Sequence, residues 1–235
     1  MNKKDSEYKG IPSGASLKEM FSLLQDHFGP QKWWPADTPF EVIVGAVLTQ
    51  NTNWKNVEKA IGNLKKKGML TLEALAAVTT EDLADRIRPS GYYNIKADRL
   101  KNLVVFINTR YAGLSKAFSD DTAALRKGLL SVKGIGPETA DSIMLYAARH
   151  PVFVIDAYTR RILLRHGLAE SMAGYEDLQA LFMDNITPEA GLFNEFHALI
   201  VQTGKHYCKK RPLCDECPLK KWTFGHTLIP YACQS

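Results

Sequence analysis

Residues Leu129–Arg161 read LLSVKGIGPETADSIMLYAARHPVFVIDAYTRR. Two apolar stretches with helical spacing flank Gly134-Ile135-Gly136-Pro137. A glycine-apolar-glycine turn between helices can turn successive backbone N–H groups outward, because glycine permits both the turn and a close approach. Such a helix start holds a phosphate without reading bases. The same four residues also suit a plain helix–helix corner, and taken alone they leave both readings open. Pro137 falls where a helix can begin, since the first turn has no use for its missing N–H. Further on, Phe153-Val154-Ile155 leads into Asp156. An isolated aspartate there reads as a helix N-cap.

The rest of the chain repeats the helical pattern. Apolar residues recur at helical spacing over 16–28, 53–66, 94–110, 122–130, 137–149, 157–166, 175–182 and 191–203. Pro39 to Leu48 is apolar on most sides and reads as a buried helix. Residues 71–76 and 80–87 are short helices, with Thr80-Glu81-Asp82 supplying a cap and first-turn acids. Breaks fall at Gly29-Pro30, Pro89-Ser90-Gly91, the hairpin and Arg211-Pro212. No alternating strand pattern stands out, so the fold class is all-α.

Composition narrows the function classes. The chain has 235 residues, enough to bury a sizeable core, and 45% of them are hydrophobic. No window approaches the run of about 18 apolar residues that a membrane span requires. Residues 1–14 are polar, lack an apolar secretory core and read as a disordered lead-in. These features point to the cytoplasm or nucleoid. The net charge is +5 and the pI about 8.9, which suits a polyanionic partner. The basic runs at 65–67, 209–211 and 220–221 are short and fit solvated faces equally well.

The order Leu-x-x-Val-Lys-Gly-Ile-Gly-Pro-x-Thr-Ala, then Val154-Ile155-Asp156-x-x-x-Arg160 about twenty residues beyond the hairpin, resembles the helix-hairpin-helix DNA glycosylase superfamily that includes endonuclease III. The resemblance spans residues 16–220. It implies two helical lobes with a DNA cleft between them, a central one over 36–150 and a second built from 15–35 plus 151–235. It implies that Lys133, Gly134, Ile135 and Gly136 grip the DNA backbone and that Asp156 is catalytic. Cleaving an N-glycosidic bond leaves positive charge on the sugar, and a fixed carboxylate stabilises it or activates a water. Relatives that also nick the strand carry a lysine at the second residue after the second glycine. Here that residue is Glu138, which cannot form an imine. Glu138 is thus a candidate second acid, or a first-turn acid favoured by the helix dipole.

The run Phe40 to Thr52 looks like the superfamily helix whose terminal glutamine fills the gap left by a flipped nucleotide; Gln50 is that candidate. Trp33-Trp34-Pro35, the Val-Leu-Thr-Gln-Asn-Thr run, Arg88-Pro-Ser-Gly-Tyr-Tyr-Asn94 and the hairpin glutamate resemble the bacterial 3-methyladenine glycosylase branch. There, aromatic residues sandwich the base, which puts Trp34, Pro35 and Trp54 at the pocket. A cationic methylated purine is attracted to a π-face. The same indoles also suit core positions.

All four cysteines follow Lys205: Cys208, Cys214, Cys217 and Cys233. The loop resembles the iron–sulfur loop of endonuclease III relatives and implies a [4Fe–4S] cluster. Its last spacing departs from that pattern: fifteen residues separate Cys217 from Cys233, and Thr223 stands where the fourth cysteine is usual. Zinc is the alternative, with His206 a possible fourth ligand. The resemblance implies that the loop pins Lys209 and Arg211 against phosphates.

The expectation is a monomeric, monofunctional glycosylase acting on double-stranded DNA in base excision repair, with an alkylated purine such as 3-methyladenine as substrate. A bifunctional endonuclease III-like glycosylase/lyase for oxidised pyrimidines and a non-catalytic helix-hairpin-helix DNA-binding module are the alternatives.

Overall fold

The computed structural model describes residues 13–224 and 227–228. In chain order the helices are α1 (Gly14–Phe28), α2 (Pro39–Leu48), α3 (Trp54–Lys66), α4 (Leu72–Ala77), α5 (Thr80–Arg86), α6 (Tyr93–Tyr111), α7 (Leu114–Phe118), α8 (Thr122–Ser131), α9 (Pro137–Ser142), α10 (Ala157–Arg165), α11 (Tyr175–Met183) and α12 (Ala190–His206). The fold is helical. The one exception among the described residues is a two-residue antiparallel pair, β1 (Thr223–Phe224) with β2 (Thr227–Leu228), too short to show as alternation in sequence. No described helix is long and apolar enough to cross a membrane.

The ends of these helices follow ordinary capping chemistry. Ser13 caps α1, so Gly14, the last residue of the expected lead-in, is already helical. The cap of α5 is Thr79, not Thr80: its hydroxyl accepts from the Asp82 N–H at 3.1 Å. A capping oxygen reaches the N–H two or three residues on, and Thr79 sits at that offset. The expected helix over 137–149 is α only to Ser142. It then widens into a π turn over Ile143–Ala147, with the Ala148 N–H reaching Ile143 O at 3.0 Å. Apolar spacing does not encode that extra residue per turn.

The chain divides into two units. One runs from Trp34 to His150; the other joins the residues up to Trp33 with those from Pro151 onward.

In the 34–150 unit, α2 is the core helix, with every residue from Phe40 to Leu48 buried. Its C-terminal carbonyl, Leu48 O, accepts from the buried Lys96 Nζ of α6 at 2.8 Å, and the same ammonium reaches Ser90 O at 2.7 Å. One side chain thereby ties the end of α2 to the turn before α6. Burial, and secondarily the charge of Arg99, lowers the Lys96 pKa to about 8.

In the other unit, Phe153 stacks on Phe182 with centroids 3.8 Å apart, and the rings of Phe193 and Phe196 meet it edge-on. Val152, Phe153, Val154 and Ile155 are all buried. Gln179 Nε2 donates to Phe153 O at 2.6 Å, and Tyr175 Oη accepts from the Ile155 N–H at 3.3 Å. This extended strip, fixed by side chains of α11, delivers the chain to Asp156.

Candidate functional site

The hairpin joins α8 to α9 through Val132–Gly136. Ile135 is its buried anchor, and its N–H bonds to Val132 O at 3.0 Å. Lys133, Gly134 and Gly136 are exposed. Gly134 has φ +94°, and a Cβ there would collide with the Arg99 side chain lying across it. Glycine is required on both counts. Below the turn, Arg126 grips Asp141 through two bonds, Nε to Oδ1 at 2.6 Å and Nη2 to Oδ2 at 3.0 Å, bracing α8 to α9. Asp141 is fully buried. Glu138 lies exposed in the first turn of α9.

Gln50 sits in the turn that ends α2. Its Nε2 donates to Thr139 Oγ1 at 2.9 Å and to Gly134 O at 3.2 Å. Its Oε1 accepts from Arg99 Nη1. The glutamine and the hairpin are thus brought together, through two residues that sequence reasoning did not select. Arg99 lies 49 positions from Gln50, and no local pattern pairs them.

A cavity of about 270 Å³ opens in the same unit, lined by Trp34, Pro35, Glu41, Gly45, Trp54, Glu58, Ile61, Gly62 and Lys65. Ligand pockets start at about 300 Å³, so this one is suited to a small group. The three expected pocket residues all line it. Trp34 packs against Gly45 of α2, where a Cβ would come within 3.2 Å of the indole. The Trp34 and Trp54 rings stand 5.2 Å apart at 79°, and Tyr146 of the π turn meets Trp34 at 5.3 Å and 50°. The indoles therefore form a corner rather than two parallel faces. Glu41, Glu58 and Lys65 also line the cavity and escaped sequence reasoning. Glu41 is buried and held by Lys65 at 2.8 Å, and its Oε2 accepts from the Asp37 N–H at 3.0 Å.

In the other unit, Asp156 is the N-cap of α10. Its Oδ1 accepts from the Thr159 N–H at 2.7 Å and from the Thr159 hydroxyl at 2.8 Å. Both bonds use one oxygen; Oδ2 accepts none among the described residues. The side chain is 14% exposed, and His197 Nε2 lies 3.8 Å from Oδ1. Burial lowers the His197 pKa against the opposing pull of Asp156, which favours the neutral imidazole. The cap uses one oxygen and leaves the other.

The cysteine loop is held from α10. Arg161 Nε donates to Cys208 O at 2.6 Å, and Arg165 Nη1 reaches Lys209 O at 2.6 Å and Cys208 Sγ at 3.2 Å. The side chains of Lys209 and Arg211 are exposed. Burial pushes the Cys217 thiol up, a backbone N–H at Leu219 opposes this, and the neighbouring Cys208 adds to it. Among the described residues no three His, Cys, Asp or Glu side chains converge as a metal site. His206 is exposed and faces Phe28 at 6.3 Å. Cys233 lies outside the described residues. Cys214 is disulfide-bonded, whereas Cys208 and Cys217 are free, so a four-thiolate cluster requires that disulfide to open.

Comparison with known proteins identifies the architecture. The profile of the HhH-GPD superfamily base excision DNA repair proteins matches residues 44–188. The "Putative DNA repair glycosylase MJ1434" of Methanocaldococcus jannaschii is 46% identical over 208 residues, covering 88% of this chain and 94% of the relative. Endonuclease III of Sulfolobus acidocaldarius is 31% identical over 185 residues, covering 78% and 80%. Among solved structures, H. pylori 3-methyladenine DNA glycosylase (MagIII) bound to 1,N6-ethenoadenine superposes with a TM-score of 0.70 at 34% identity, covering 83% of this chain and 98% of that one. A trapped endonuclease III–DNA covalent intermediate shares the fold, with a TM-score of 0.76 at 23% identity over 89% and 95%. The chain belongs to the HhH-GPD superfamily of base excision DNA repair proteins.

Proposed function

We propose that this DNA repair glycosylase is monofunctional and hydrolyses the N-glycosidic bond of a flipped alkylated purine such as 3-methyladenine. The observation that carries the reading is Asp156: one oxygen is fixed by Thr159, the other is left, and a neutral histidine stands beside it. A neutral neighbour does not cancel the carboxylate's charge. That charge stabilises the cationic sugar as the bond breaks, or takes a proton from the attacking water.

Double-stranded DNA is the partner, met by a monomer in the cytoplasm at the nucleoid. Two helical lobes, 36–150 and 15–35 plus 151–235, are the proposed division of the chain. Lys133 and the hairpin backbone at Gly134, Ile135 and Gly136 hold phosphates, as do Lys209 and Arg211. Gln50 replaces the extruded nucleotide. Trp34, Pro35 and Trp54 receive the base, a reading supported by the likeness to a 3-methyladenine glycosylase at 34% identity. The Cys208, Cys214, Cys217 and Cys233 loop carries a [4Fe–4S] cluster, with zinc as the alternative; iron and acid-labile sulfide analysis of anaerobically purified protein separates the two.

Glu138 stands in the position of the lyase lysine, which favours simple hydrolysis and leaves it as a possible second acid. The likeness to an endonuclease III at 31% identity supports the second reading, a bifunctional glycosylase/lyase for oxidised pyrimidines. A release assay over 3-methyladenine, 7-methylguanine, uracil, thymine glycol and a T·G mismatch tests both, together with borohydride trapping on abasic DNA. Release of methylated purines without a covalent adduct is expected. Release of thymine glycol with a robust adduct would replace this reading by the second.

A further inference from the structure

The cavity's charge is not balanced. Two carboxylates, Glu41 and Glu58, and one ammonium, Lys65, line it. Lys65 is already engaged by Glu41 at 2.8 Å and by Asp37 at 2.7 Å. Glu58 has no cationic partner among the described residues. Its Oε1 instead accepts from the Trp54 indole N–H at 2.9 Å, one helical turn back on α3. A neutral donor fixes the position of a carboxylate without cancelling its charge. Trp54 and Glu58 therefore work as a unit: a π-face with a carboxylate anchored at its polar edge.

We propose that Glu58 is a specificity-determining residue that biases this cavity towards purines carrying a positive charge, over neutral damaged purines of similar shape. The inference rests on the base-pocket reading above and deepens it. Alkylation at N3 or N7 leaves the purine ring of the nucleotide cationic, whereas an etheno adduct or a deaminated purine is neutral. The aromatic corner attracts a cation through its quadrupole, but it also stacks on any flat base. An uncompensated carboxylate at the corner adds a preference that depends on charge alone. Glu58 is exposed, so the effect is screened and weakens with salt.

Glu58→Gln keeps an acceptor for the Trp54 N–H and removes the charge. Single-turnover release is measured for wild type and variant on DNA carrying 7-methylguanine and on DNA carrying 1,N6-ethenoadenine. The expected result is that the variant loses about tenfold more on the cationic lesion, a difference that shrinks as salt is raised. A purely structural role for Glu58 predicts equal losses on both lesions, and equal losses would overturn the proposal. A second arm needs no catalysis: quenching of tryptophan fluorescence by 7-methylguanosine and by guanosine at pH 6, where the former is cationic. A wild-type preference for 7-methylguanosine that Glu58→Gln erases supports the inference even if no lesion is released, an outcome that would count against the enzyme reading alone. A preference that survives the substitution, or no preference in wild type, overturns it.

Discussion

Arg99 and Gln50 are joined side chain to side chain: the guanidinium Nη1 donates to the amide Oε1, while the amide nitrogen donates to Thr139 and to the backbone of Gly134. The proposed wedge is thereby latched to the hairpin. Inserting it into DNA requires exchanging these bonds for others. Gln50→Ala is expected to lower base extrusion, read with 2-aminopurine beside the lesion, and to reduce kcat/KM by roughly tenfold or more, the scale of lost compensation for unstacking. Arg99→Ala, which removes the bond to the Gln50 Oε1 and keeps those of its amide nitrogen, should change extrusion while leaving abasic-site binding within a few fold. Identical losses in extrusion and binding for both variants would instead indicate damage to the hairpin itself.

The Arg126–Asp141 pair sits beneath the hairpin with its carboxylate fully buried. Removing Arg126 takes both of its hydrogen bonds from a fully buried carboxylate. Arg126→Met should therefore destabilise the fold by about 3–5 kcal/mol in urea unfolding. Arg126→Met with Asp141→Leu should recover much of that loss. A single variant within 1 kcal/mol of wild type, roughly the range of an exposed pair, would show that the pair is not the brace described.

Lys96 predicts a pH effect. Its folded pKa is lowered to about 8 from 10.5, so between those values the unfolded chain binds more protons. Stability contributed by this site therefore rises with pH across that window and is flat below it. A shift of this size corresponds to about 3 kcal/mol. Denaturant titrations from pH 7 to 10 should show the rise in wild type and lose it in Lys96→Met.

His197 acts at the other end of the scale. Its folded pKa is lowered below 6.5 by burial, so the unfolded chain takes up the proton first on acidification. Stability is then lost as pH falls from 6.5 towards the lower folded value. His197→Gln should flatten that part of the stability curve. An unchanged slope would mean that the imidazole takes up its proton at the same pH in the folded and unfolded chain, against the lowering by burial.

Much of this was legible in the residues themselves. Gly134 and Gly136 between apolar helices located the hairpin, and the Phe153-Val154-Ile155 run located Asp156, because local spacing carries both. Trp54 and Glu58 are four apart on one helix, so their pairing was readable and was passed over. Arg161 and Arg165, also four apart, gave no hint that they hold the cysteine loop 43 or more residues away. The Arg99–Gln50 latch, the Lys96 staple and the π turn that sets Tyr146 against Trp34 depend on contacts or backbone geometry with no local signature.

The central claim concerns the carboxylate at the start of α10. Single-turnover release of 3-methyladenine should be measured for wild type and Asp156→Asn, with binding to abasic-site DNA measured on the same preparations. Asparagine keeps the cap, since its carbonyl oxygen can still accept from Thr159. The account predicts that release falls by at least a hundredfold while binding and folding stability stay close to wild type. Release at near wild-type rate from the Asp156→Asn protein would contradict it.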